Sequence, residues 1–206
     1  MIKLLGTVPK HAYIAVSGGV DSMAALDFLR NGGKRELVVL HFNHGTEHAK
    51  EAEGLVRSYC LNKNIPAVFG KIDEEIPKGA SREDFWRKKR YAFFERAASS
   101  GGTKGPVITC HHINDVVETW LFTSFHGNPM LIPPKRDFYI RPFLLTKKDD
   151  LVSWGNRREV PHVFDPSNND LRYMRNYIRH KIVPSAKRVN PGLEKVLRRK
   201  IMLSFY

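Results

Sequence analysis

Cysteine is scarce in this 206-residue chain: Cys60 and Cys110 stand far apart and form no C-x-x-C pair. That leaves no disulfide framework and no paired-thiol chemistry, and it makes a reducing, cytoplasmic setting the expectation. Long apolar runs are lacking as well. No stretch reads as a membrane span, and residues 1–6 are too short an apolar run for a secretory signal. Negative charge is the third shortage, with 21 Asp and Glu against 34 Lys and Arg and a formal net charge of +13. Such an excess implies a polyanionic partner, nucleic acid foremost. It is also uneven: residues 170–206 carry ten Lys and Arg against Asp170 and Glu194, a net +8. A few surplus lysines make a solvated face, whereas this concentration points to nucleic-acid contact. With 42% apolar and 27% charged residues, the rest reads as a soluble globular protein with one good core and a small appendage.

What is present is an alternation of strands and helices. Apolar runs at 12–16, 36–42, 65–69 and 106–110 predict four buried strands. Between and after them, helices are predicted over 23–29, 47–62, 81–98 and 114–124, with Ser81 and Asp84 as a cap pair at the start of the third. Continuously apolar strands separated by helices give an α/β fold, a doubly wound parallel sheet covered on both faces. From 125 to 143 the periodicity breaks around Gly127, Pro129, Pro133, Pro134 and Pro142, which predicts a functional or mobile loop. Helices resume at 147–158, 169–182 and 192–203. We therefore expect a catalytic domain over 1–145 and a basic helical extension, in contact with RNA, over 146–206.

Three segments fall at the carboxyl ends of predicted strands, where ligands bind in such sheets. The first is Ser17-Gly18-Gly19-Val20-Asp21-Ser22. Strand, Gly-Gly turn and helix aim backbone N–H groups and a helix N-terminus at one point, which suits a phosphate. Ser17 and Ser22 add hydroxyl donors, and the loop lacks the Lys-Ser/Thr ending of the common P-loop. The alternative is an ordinary capped turn. The second segment is His41-Phe42-Asn43-His44-Gly45. In the third, His111-His112-Ile113-Asn114-Asp115-Val116-Val117-Glu118-Thr119, adjacent histidines on a strand point to opposite faces, which argues against a two-His metal site. Asp115 and Glu118 lie one turn apart and suit magnesium beside phosphate, or else simply favour the helix start. Elsewhere, Arg87 and Arg90 share a helix face that meets phosphate or RNA, or else solvent. Arg172, Arg175 and Arg179 form a basic stripe after the Asp165-Pro166-Ser167-Asn168 turn.

Taken in order, these segments, with Arg87-Lys88-Lys89-Arg90-Tyr91, Arg141-Pro142-Phe143-Leu144 and the block from Asp165 through Tyr173, Arg175-Asn176 and Arg179 to Pro184, resemble the tRNA(Ile)-lysidine synthetases of the PP-loop ATP pyrophosphatase superfamily. The resemblance implies an adenine nucleotide alpha hydrolase-like fold. It also implies an ATP- and Mg2+-dependent ligase that adenylates the wobble cytidine in the anticodon loop of a CAU isoleucine tRNA and attaches lysine as co-substrate. By match, Ser17, Gly18, Gly19, Asp21 and Ser22 hold ATP phosphates, and His41, Asn43, His44 and Gly45 lie near the adenosine. Asp21 and Asp115 are the metal ligands. Asp21, Asp115, Glu118, Arg87 and Arg90 form the catalytic set, with Asp115 as base, while Arg172, Arg175, Asn176 and Arg179 meet the tRNA.

Three departures mark this chain. Asn114 stands where the family usually has Asp, Lys88 where it has Glu, and the loop after His126 lacks the usual Gly-x-x-Gly-Leu run. The chain also ends where cellular members continue into further tRNA-binding domains, so a compact core-only form, of the kind a virus could carry, is the expectation. These features keep two alternatives open: a PP-loop enzyme using another amine or base, and a catalytically silent tRNA-binding protein. The oligomeric state is open, a homodimer included.

Overall fold

Apolar side chains alternate along the first two strands and bury both of their faces. In β1 (His11–Ala15), Ala12 and Ile14 enter one core and Tyr13 the other. In β2 (Glu36–Asn43), Leu37 and Val39 join the first while Leu40 and Phe42 join the second. A strand buried on both faces belongs inside a parallel sheet with helices on each side. The computed structural model describes residues 1–33, 35–100 and 105–205 and has that arrangement.

The remaining strands are β3 (Ala67–Lys71), β4 (Val107–Ile108), β5 (Lys135–Arg136) and β6 (Tyr139–Ile140), in the sheet order β3-β2-β1-β4-β6-β5. Neighbours are parallel except that β5 runs antiparallel to β6. The chain builds outward from β1 to β3, then returns to place β4 on the other side of β1. That reversal opens a crevice beyond the carboxyl ends of β1 and β4.

Helices α1 (Val20–Asn31), α2 (Glu47–Asn62) and α5 (Lys148–Arg157) meet at a buried carboxylate. Asp27 accepts hydrogen bonds from Tyr59 Oη at 3.0 Å and Trp154 Nε1 at 2.9 Å, and Trp154 packs edge-on against Phe28. On the opposite face, α3 (Arg82–Ser100) presses Phe93 and Phe94 against Tyr13 and Tyr139. A Cβ on Gly70 of β3 would come within 2.5 Å of the Phe93 ring, so that position admits no side chain. At its start, Ser81 Oγ accepts from Asp84 N at 3.4 Å. A third cluster joins α4 (Ile113–Phe125) to α8 (Leu193–Phe205) through Val116, Leu121, Leu197 and Ile201. Residues on both sides of position 145 thus share cores.

Two expectations are corrected. The aperiodic stretch 125–143 holds the β5–β6 hairpin, and β6 pairs with β4, so part of it belongs to the sheet. The helix expected over 169–182 is broken up. A 3-10 turn (Pro166–Asn169) precedes α6 (Met174–Tyr177), a π-helical turn (Ile178–Ile182) and α7 (Val183–Val189).

Candidate active site

The loop after β1 is shaped by hydroxyls and one left-handed glycine. Ser17 N donates to Ser22 Oγ at 3.1 Å, and Ser22 Oγ donates to Gly19 O at 3.0 Å. Gly18 has φ +89°, and a Cβ there would meet Ala52 of α2 at 3.0 Å. Gly19 is the N-cap of α1 and brings no side chain to the first turn, which leaves the first-turn N–H groups without a side-chain cap. Behind the loop, Val163 N donates to Gly18 O at 3.0 Å.

Asp21 opens α1 at the crevice, 3.7 Å from His112 Nε2 and 3.5 Å from Lys148 Nζ. Burial, the largest influence, raises the Asp21 pKa, but His112 and Lys148 together outweigh it and hold the carboxyl below its usual range. His112 is the N-cap of α4 in a reciprocal capping box: His112 N donates to Asp115 Oδ2 at 2.8 Å, and Asp115 N to His112 Nδ1 at 3.4 Å. Its imidazole therefore stands between two carboxylates. Burial disfavours the imidazolium, yet Asp115 and Asp21 raise the His112 pKa overall. The neighbouring His111 is pushed the other way, to about 4, by burial and by Arg141 and Arg175.

Glu118, one turn beyond Asp115, is buried and grips Arg179 in two bonds, Nε to Oε1 at 2.7 Å and Nη2 to Oε2 at 3.0 Å. Its hydrogen bonds to Glu118 raise the Arg179 pKa further, against burial, and Asp115 and Asp21 add to the pull. The π-helical turn carrying Arg179 widens the backbone at this point.

A cluster of guanidiniums crowds together beside His111 and His44. Arg90 is depressed first by burial, then by the charges of Arg87 and Arg175, and Arg141 by burial with Arg136 and Arg87. Arg141 Nε is buried with no partner among the described residues. Guanidiniums crowded this way are relieved by an anion. At the end of β2, His41 Nδ1 bonds Val16 O at 2.9 Å, and Asn43 Oδ1 accepts from Gly45 N at 2.8 Å. His44 stacks on Trp86 with centroids 5.1 Å apart, and burial with Arg90 and His41 lowers its pKa to about 4. His41 Nε2 and His44 Nδ1 are buried without partners among the described residues.

The comparisons with known proteins fit this geometry. Residues 3–186 match the PP-loop domain family. The chain belongs to that family. Membership in the PP-loop family implies use of ATP. The chain is 34% identical over 208 residues to the tRNA(Ile)-lysidine synthase of Thermotoga sp. (strain RQ2), covering 95% of this chain and 50% of that protein. To the tRNA(Ile)-lysidine synthase of Pseudothermotoga lettingae it is 34% identical over 200 residues, covering 90% and 44%. It spans about half the length of these curated relatives. Among solved structures, the U34-tRNA thiolase NcsA of Methanococcus maripaludis superposes with a TM-score of 0.76 at 14% identity, over 94% of this chain and 71% of that one, a likeness of fold.

The PP-loop, residues 41–45 and residues 111–118 thus converge, and Asp21 and Asp115 meet through His112. Sequence reasoning missed His112 and Lys148 as members of the site. The strand rule for adjacent histidines did not apply, because β4 stops at Ile108 and His112 already caps α4. Lys148 arrives by long-range contact, and Asn114 helps to place it: Asn114 Oδ1 accepts from Lys148 N at 3.0 Å. Asn176 is buried, and its Nδ2 donates to Ser167 O and Asp170 O, holding the preceding turn. Arg172 is exposed and pairs with Asp170 at 2.8 Å. For a metal ion, Asp21 Oδ1 fits: it is a buried carboxylate oxygen without a partner among the described residues, the hard donor that Mg2+ takes alongside phosphate and water. No helix among the described residues is long and apolar enough to cross a membrane.

Proposed function

We propose that this chain carries the ATP-dependent chemistry of lysidine formation, adenylating a cytidine of tRNA(Ile) and joining lysine to it. The observation that carries the reading is the Asp21–His112–Asp115 line standing at the PP-loop, in a chain similar along nearly its whole length to enzymes of that name. The first step forms a bond from the cytidine O2 to the α-phosphorus of ATP and releases pyrophosphate. The second forms a bond from the lysine ε-nitrogen to C2, expels AMP and loses a proton.

Each residue group has a part in these steps. The PP-loop amides, Ser17 and Ser22 receive the phosphates, and Arg87, Arg90 and Arg175 balance the charge that builds on them. His41 Nε2 and His44 Nδ1 offer polar contacts to the nucleoside. Mg2+, held on Asp21 with Asp115 behind it, would neutralise phosphate charge. His112 orients both carboxylates, and Asp115 is assigned to take the amine proton. Glu118 keeps Arg179 in place. Lysine is assigned to the side of the crevice that holds Asp21 and Asp115, since both oxygens of the buried Glu118 are already taken by Arg179. Arg172, Arg175 and Arg179, in the basic segment 170–206, are assigned to contacts with the tRNA.

The test is product formation from ATP, lysine and a CAU-anticodon tRNA. AMP and pyrophosphate in step with a lysine mass added to cytidine support the reading. RNA-dependent AMP without lysine addition moves the assignment to another amine. Salt-sensitive tRNA binding with no AMP means a silent binder.

A further inference from the structure

Several apolar side chains lie open to solvent in the segment that follows Val163, the residue bridged to Gly19 of the PP-loop. Phe164 is 65% exposed, and Leu171, Tyr173, Met174 and Tyr177 also lie open to solvent within the same short segment. The segment is tied down. Asn176 holds the turn through Ser167 and Asp170, and His180 Nε2 bonds Asn168 O at 3.1 Å. Tyr177 N donates to Tyr173 O at 3.0 Å, which sets the two tyrosines one helical turn apart. Tyr173 is fixed from the other side as well, since its Oη accepts from Arg82 Nη2 at 2.8 Å. Arg82 also lies 5.2 Å over the Trp86 ring, which stacks on His44 of the candidate site.

We propose that Tyr173 and Tyr177, steadied by Arg82, form a platform on which unpaired bases of an RNA loop stack beside the reaction centre. The proposal rests on the functional reading above and names the part of the RNA that meets this surface. Rigid aromatic faces set among arginines suit a strand whose bases are splayed out and whose phosphates lie between them. A paired duplex hides its base faces and gains only the phosphate contacts. Charge complementarity favours RNA as the occupant: Arg172 and Arg175 flank Tyr173 within the segment that carries the net +8.

The experiment compares binding of a CAU anticodon stem-loop RNA and of a fully paired duplex. Tyr173→Ala and Tyr177→Ala should each weaken stem-loop binding about tenfold. Duplex binding and ATP affinity should stay unchanged, the latter showing that the fold survives. Tyr173→Phe, which keeps the ring and loses the Arg82 bond, should retain most of the stem-loop affinity. Arg172→Ala should weaken both RNAs alike and flatten the salt dependence. Stem-loop binding unchanged in both tyrosine-to-alanine variants, or lost equally for duplex, overturns the platform alone. If the unaltered protein binds neither RNA, the functional reading falls, and the platform with it.

Discussion

At the scale of single residues, His112 concentrates the most consequence. One imidazole caps α4, receives Asp115 and faces Asp21, so its charge and its orientation both shape the crevice. Its pKa is raised above the ordinary 6.5: the imidazolium gives up the Asp115 N–H bond and pairs instead through Nδ1 with Asp115 Oδ2 and through Nε2 with Asp21. This stability is fully present below about pH 6.5 and is lost as pH rises through its folded value. Urea unfolding of wild type and His112→Asn across pH 5.5–9 should show a deficit that is largest at the acid end and shrinks toward the alkaline end. A deficit independent of pH would contradict the assignment. His44 acts in the opposite sense, because its folded pKa lies near 4. The unfolded chain takes up that proton first, so stability falls as pH drops from about 6.5 toward 4. His44→Gln should flatten this part of the stability profile while leaving the neutral region close to wild type.

At the scale of elements, buried polar contacts decide how helices meet. Removing the Asp27 carboxylate would orphan Tyr59 Oη and Trp154 Nε1 together and separate α1, α2 and α5. Asp27→Ala is expected to cost about 2–4 kcal/mol, seen as a lower urea midpoint with unchanged slope. The Glu118–Arg179 pair links α4 to the π-helical turn in the same way. Arg179→Ala leaves a buried carboxylate alone and should cost about 3 kcal/mol, with Glu118→Gln relieving part of the loss in the double variant. The elements legible in the sequence were the four apolar strands and the helices α1 to α5 and α8, found within a few residues of the expected bounds, with α2 over 47–62 itself. The β5–β6 hairpin escaped because its strands are two residues each, one of them Lys135–Arg136, with prolines on both sides, and so carry no alternating signal. The helix expected over 169–182 carried a basic stripe at helical spacing, but Asp165, Asn176 and His180 fold its first part into turns instead.

At the scale of the whole molecule, the doubly wound order brings the PP-loop, β2's end and α4's start to one crevice. This convergence was legible in the sequence because each segment directly follows an apolar strand. Which partners each side chain takes was not: Lys148 beside Asp21 and Arg179 on Glu118 join residues distant in the chain, and no local pattern encodes such pairs. The Asn114 departure also gains a physical account at this scale. The amide anchors the first turn of α5, which carries Lys148 to Asp21, so the missing carboxylate lies outside the Asp21–His112–Asp115 line.

The most direct test of the account is ATP-dependent transfer of radiolabelled lysine to an unmodified CAU-anticodon tRNA, run beside an Asp21→Ala control. The account predicts incorporation by the wild type that is lost in the control. No incorporation by a folded protein that binds both ATP and the tRNA would contradict it.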